Sequence, residues 1–97
     1  MTHSIGDAVL VTTGRDSGRL MRVIGFEQND LLLADGKHRK VEQPKRKNPK
    51  HVTGTVARAD SEVAQKLRRG ELIRNSELRR DLAILGQDKA DKDQGGN

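Results

Sequence analysis

Residues 5–26 read Ile5-Gly6-Asp7-Ala8-Val9-Leu10-Val11-Thr12-Thr13-Gly14-Arg15-Asp16-Ser17-Gly18-Arg19-Leu20-Met21-Arg22-Val23-Ile24-Gly25-Phe26. Two apolar, β-branched runs flank a polar loop bounded by Gly14 and Gly18, the pattern of two short strands joined by a turn. Glycine suits such a loop because it reaches positive φ without steric cost. Gly25 inside the second run predicts a bulge or tight bend. Both alternating sets of Leu20 to Phe26 contain apolar residues, so periodicity alone leaves the facing of this strand open.

The same grammar continues outward. Gln28-Asn29-Asp30 supplies a turn, Leu31-Leu32-Leu33-Ala34 a third strand, and Asp35-Gly36 a type I′ hairpin signal with residues 37–42 returning. Pro44 and Pro49 bracket Lys45-Arg46-Lys47-Asn48 and predict an extended loop there. His51 to Val56 is expected as a fifth strand. Short strands joined by tight turns indicate a small barrel, which hides most of its edges. Its interior is expected to draw on Val9, Val11, Val23, Leu31, Leu33, Val41, Val52 and Val56.

The period changes after residue 58. Asp60 is the expected N-cap of a helix carrying Val63, Ala64 and Leu67, with Gly70 at its C′ position. Asn75 is expected to cap a second helix, with Leu78, Leu82 and Leu85 as its stripe and Gly86 as its end. Helices this short need a surface to pack on, which is each other, the barrel or a partner. Residues 87–97 contain one apolar residue and are expected to be disordered. The organisation is thus a barrel over 1–56, a helical hairpin over 57–86 and a tail over 87–97, mainly β with α.

Charge points to function. The 97-residue chain has net charge +5, and segment 37–50 sets seven cations against Glu42 alone, a local +6, so the remainder sums to −1. A localised basic patch is the footprint of a polyanion partner, weighed here against a solvated linker. The chain lacks cysteine, Trp and Tyr, and its one aromatic residue is Phe26, expected in the core. Without an aromatic platform, phosphates, 2′-hydroxyls and shape are the expected basis of recognition, which favours folded or duplex RNA.

Other chemistries find little support. His3, His38 and His51 have no paired spacing, so no metal is expected. The Gly14 to Arg19 loop lacks a P-loop ending, and no nucleophile constellation is present, so neither cofactor nor enzymatic activity is expected. No apolar run approaches a bilayer-spanning length, and Met1-Thr2-His3-Ser4 does not open a signal pattern. A cytoplasmic location away from membranes is therefore expected.

Ile5-Gly6-Asp7-Ala8-Val9-Leu10-Val11, then Gly14-Arg15-Asp16-Ser17-Gly18-Arg19 and Val23, resembles the KOW motif. Leu33-Ala34-Asp35-Gly36, Arg39-Lys40-Val41 and Asn48-Pro49-Lys50-His51-Val52 extend the likeness to the large-subunit ribosomal protein family called fourteen-e and its bacterial KOW-domain relatives. The resemblance spans residues 4–56; Met21 departs from it, standing where many members carry a small residue. It implies an SH3-like barrel that binds structured RNA, typically ribosomal RNA, as a ribosomal or ribosome-associated protein. Gly14, Arg15, Gly18 and Arg19 would face RNA, with Asp35 and Gly36 as a structural turn. Lys37, Arg39, Lys40, Lys45, Arg46, Lys47, Lys50 and His51 would add contacts.

The expected partners are thus structured RNA and ribosomal proteins, with the free chain a monomer. The alternative is an adaptor of the transcription or translation machinery that docks protein through the barrel or the Leu78, Leu82, Leu85 stripe. DNA binding ranks third, because charge does not separate polyanions.

Overall fold

The computed structural model describes residues 3–55 and 61–95, with 87–95 as backbone only. Four strands, β1 (Ala8–Leu10), β2 (Leu20–Glu27), β3 (Asp30–Ala34) and β4 (Lys45–Lys47), form one antiparallel sheet in sequence order. A 3-10 turn at Pro49–His51 follows, then helices α1 (Glu62–Arg68) and α2 (Asn75–Gly95). The molecule is a small mixed α/β domain.

The free edge of β1 is covered by the chain beyond the 3-10 turn. Val52 bridges to Val11, the Thr12 amide donates to His51 O at 2.9 Å, and the Thr53 amide donates to Leu10 O at 2.9 Å. The sheet thereby curls into a barrel-like shell around Val9, Val11, Met21, Val23, Leu31, Leu33 and Val52. Six of the eight expected interior residues are there. Val41 instead joins a second core, and Val56 lies outside the described residues.

That second core explains the ambiguity of β2. Met21 and Val23 face the barrel, while Leu20 and Ile24 face the helices, so both sides of the strand are buried. A register shift between Val23 and Gly25 places the expected bulge at Ile24. Val63, Ile73, Leu78 and Leu82 close over Ala34, with Leu20, Ile24, Val41, Leu67 and Leu85 at the margin. The helices therefore dock on the sheet, and Leu78 and Leu82, expected as a partner surface in the adaptor reading, are consumed by this packing.

Arg22 anchors the seam. It is 2 % exposed, and its Nε and Nη2 donate to the Asp81 carboxylate at 2.8 and 3.2 Å. Nη1 donates to Gly6 O at 2.7 Å, and Nη2 also reaches Ser61 Oγ at 3.3 Å. A buried ion pair is roughly neutral for stability against an apolar substitute, but it demands one docking register. Two glycines allow the approach. A Cβ on Gly6 would lie 3.1 Å from Ala64 O, and one on Gly36 would lie 2.4 Å from Asn75 O.

Several local expectations change. Residues 37–42 form no returning strand; Asp35 instead folds the segment into turns. Lys45–Lys47 is a strand, not a loop, because pairing with β3 supplies the hydrogen-bond partners and the two prolines fall just outside it. The expected fifth strand is reduced to the bridge at Val52. Ser61 caps α1 by accepting the Ala64 amide at 3.1 Å, while Asp60 lies outside the described residues. Gly70, at φ 77°, ends α1 as expected, with the Glu71 amide bonded to Lys66 O.

Asn75 begins α2 but turns its side chain away from it. Its Oδ1 accepts the Val41 amide at 2.9 Å and its Nδ2 donates to Glu42 at 2.8 Å. The helix also continues through Gly86 to Gly95, where a disordered tail was expected from 87. Gly86 does not take positive φ, and one glycine inside a helix costs only about 1 kcal/mol. Residues 96–97 lie outside the described residues.

Candidate nucleic-acid interface

The first polar loop is wound by its own backbone. The Ser17 amide donates to Gly14 O at 3.2 Å, the Gly18 amide to Val11 O at 2.7 Å, and the Arg19 amide to Asp16 O at 3.0 Å. Gly14 and Gly18 take φ of 82° and 88°, which the tight loop requires. This winding buries Asp16 to 2 % exposure at the centre of a basic cluster. Arg19 Nη1 donates to its carboxylate at 2.6 Å, and Arg39 Nε donates at 2.9 Å, with Arg39 Nη2 ion-paired to the same oxygen at 2.9 Å. Burial raises the Asp16 pKa, but the hydrogen bonds and charges of Arg39 and Arg19 outweigh it and hold the carboxyl below its ordinary value. Asp16 thus stays ionised and ties the 14–19 loop to the 35–40 segment.

Asp35 organises that segment. Its Oδ1 accepts the amides of Lys37, His38 and Arg39 at 2.9, 2.8 and 2.9 Å, and its Oδ2 lies 3.1 Å from His38 Nδ1. Burial again opposes ionisation, and the backbone donors of Arg39 and Lys37 prevail, lowering its pKa. The turn displays Lys37, His38 and Lys40 as exposed residues while Arg39 folds back on Asp16. Gly36 serves a purpose beyond the turn. Its carbonyl accepts Arg79 Nη1 at 2.8 Å, and its missing side chain makes room for the start of α2.

The basic run divides by strand alternation. Lys47 Nζ donates to Thr13 O at 3.0 Å, which brings the end of β4 to the first loop. Exposed Arg46 turns instead to the β2–β3 hairpin, meeting Asp30 at 2.8 Å, Gln28 at 3.1 Å and Glu27 at 3.5 Å. Its charge is already answered, which sets it apart from its neighbours. Among the described residues, Arg15, Lys37, Lys40, Lys45 and Lys50 have no hydrogen-bonded or ion-paired side chain. His51 is exposed, and only its backbone is engaged.

The structure therefore gathers Arg15, Arg19, Arg39 and Lys47 around the first loop and leaves Arg46 on a separate, neutralised patch. Sequence reasoning places Asp16 and Asp35 at turns with side chains bonded to nearby backbone, which holds for Asp35 but misses the reach of Asp16 to Arg39. The position of Asp16 between Arg15 and Arg19 in the chain was the available signal. It also missed Phe26, which is 46 % exposed rather than in the core.

Among the described residues, no cluster of three or more His, Asp or Glu could hold a metal, and no helix is long and apolar enough to cross a membrane. No family model matches the chain, and no curated protein matches it either.

Proposed function

We propose that this chain is a non-enzymatic RNA-binding module of SH3-like, KOW type, directed to structured RNA and above all to ribosomal RNA. The observation that carries the reading is the pair of buried, ionised aspartates, Asp16 and Asp35. They hold the backbone of two basic loops in place, while among the described residues the side chains of Arg15, Lys37, Lys40, Lys45 and Lys50 form no hydrogen bond or ion pair. Cations gathered on loops of fixed backbone and left without ion partners suit phosphates, because phosphate contact releases condensed counterions. About five such contacts give a slope of roughly −4 in log affinity against log salt.

The test is binding of a ribosomal RNA fragment by the full chain across a salt series. Replacing Lys37, Lys40 and Lys45 with glutamine is expected to flatten the slope by about 3, whereas Arg46→Gln changes it least. An unchanged slope in a folded triple variant would refute the interface. Co-sedimentation with the large ribosomal subunit, lost at high salt, addresses the ribosomal target.

A second reading, a protein-docking adaptor, draws on one feature. Leu72 is 96 % exposed at a groove lined by Ile24, Val41, Leu67 and Ile73. Associations that survive RNase and are lost in Leu72→Ser would favour it.

A further inference from the structure

Phe26 is the only aromatic residue in the chain, and it stands 46 % exposed near the end of β2. A small protein gains most by burying its one large ring, so its display at the surface calls for an occupant. The ring lines a pocket of about 520 Å³, within the range of small-ligand sites, together with His3, Gln28, Asn29, Asn48 and Lys50. The 3-10 turn brings Asn48 and Lys50 to one side, and the β2–β3 turn brings Gln28 and Asn29 to the other.

We propose that this pocket receives one unpaired nucleobase of the bound RNA, stacked on Phe26; the inference rests on the RNA-binding reading above. Three features match a nucleotide. A lone aromatic face supplies sequence-tolerant stacking. The amides supply an edge. Asn48 Oδ1 already accepts the Lys50 amide at 2.9 Å, and Gln28 Oε1 already accepts Arg46 Nη2 at 3.1 Å. Each therefore has its NH2 group left to donate, while the Asn29 side chain is unengaged. A donor-rich edge suits the carbonyl oxygens of uracil or guanine better than the amino group of adenine. Lys50, exposed and without an ion partner among the described residues, supplies a cation for the adjoining phosphate. The pocket thus adds base recognition at the β2–β3 hairpin, apart from the first-loop cations, and directs binding to duplexes interrupted by a bulge.

The single phenylalanine makes the test direct. The full chain, labelled biosynthetically with 4-fluorophenylalanine, gives one fluorine resonance. It is titrated with a hairpin RNA bearing one bulged uridine and with the same hairpin lacking that nucleotide, and affinities are measured in parallel for wild type, Phe26→Ala and Asn29→Ala. Both substitutions are at exposed positions, and thermal melting checks the fold of each. The expected result is a resonance shift with the bulged hairpin alone and about tenfold tighter binding of it. Phe26→Ala abolishes that preference and leaves the paired hairpin unaffected, and Asn29→Ala reduces it. Equal binding of both hairpins with an unmoved resonance overturns the pocket while RNA binding stands. A shift or an affinity loss common to both hairpins also overturns it, because the ring then touches backbone rather than a base. Binding of neither hairpin at low salt removes both the pocket and the RNA reading.

Discussion

Gly36→Ala should separate the helices from the barrel. At φ 80° an L-residue is strained by about 1–2 kcal/mol, and the new Cβ would sit 2.4 Å from Asn75 O and 3.2 Å from the Arg79 amide nitrogen. Both obstacles are backbone at the start of α2, so the helix must lift rather than a side chain swing. Lifting breaks the Arg79 bond to Gly36 O and the Val41 bond to Asn75, each a net ~1 kcal/mol, and loosens Leu78, which is fully buried. The sum is roughly 3–5 kcal/mol, a large part of the ~5–15 kcal/mol that holds a domain of this size. Gly18→Ala is the control. Gly18 has φ 88° but nothing within 4 Å of its Cβ, so only the backbone strain applies. Urea unfolding followed by circular dichroism should show Gly36→Ala to be at least ~2 kcal/mol worse than Gly18→Ala, with faster amide exchange over residues 75–82. Equal losses in the two variants would refute the close docking of α2 on Gly36.

Two further outcomes follow from buried charge. Asp81→Leu or Arg22→Met alone should cost roughly 3–5 kcal/mol by leaving one buried charge unpaired. The double variant Arg22→Met/Asp81→Leu should recover most of that in a double-mutant cycle, and additive losses would contradict the ion pair. Asp16 and Asp35 have native pKa values below those of the unfolded chain, so the unfolded state takes up protons first as pH falls. Their stabilisation is complete above the unfolded carboxyl value near 4 and is lost as the pH drops through the lower native values. Unfolding across acid pH should therefore show falling stability in the wild type and a flatter curve in Asp16→Asn. Identical curves would show that Asp16 stabilises the fold no better when ionised.

Short-range signals in the sequence located β1, β2, β3 and α1, because alternation, glycine turns and helix stops act within a few residues. Gly70 illustrates this: a left-handed C′ glycine is legible from Arg68-Arg69-Gly70 alone. Legibility failed wherever a distant element decided the outcome. Asp35-Gly36 carries a hairpin signature, but its glycine is required by Asn75 and Arg79, some forty residues on. Lys45-Arg46-Lys47 has low strand propensity, and it becomes a strand because β3 offers an edge. The two apolar faces of β2 looked like a contradiction until the helices supplied the second core. Of the candidate interface, the cations were legible from composition. The link from Asp16 to Arg39 was not, because it spans 23 residues of chain.

The placement of the basic run in β4 also bears on solubility. β4 is the outer strand of the sheet, whereas the other edge is covered by Val52 and Thr53. An open edge invites a second molecule to add a strand, and positive side chains along it repel an identical copy. Lys45 and Lys47, whose charges are not answered by carboxylates among the described residues, would thus keep molecules of this protein apart through the same charge with which they would meet a phosphate. Neutralising both should raise aggregation at concentrations where the parent stays dispersed, and bound RNA, by screening the same charges, would bring neighbouring copies closer than they come in its absence.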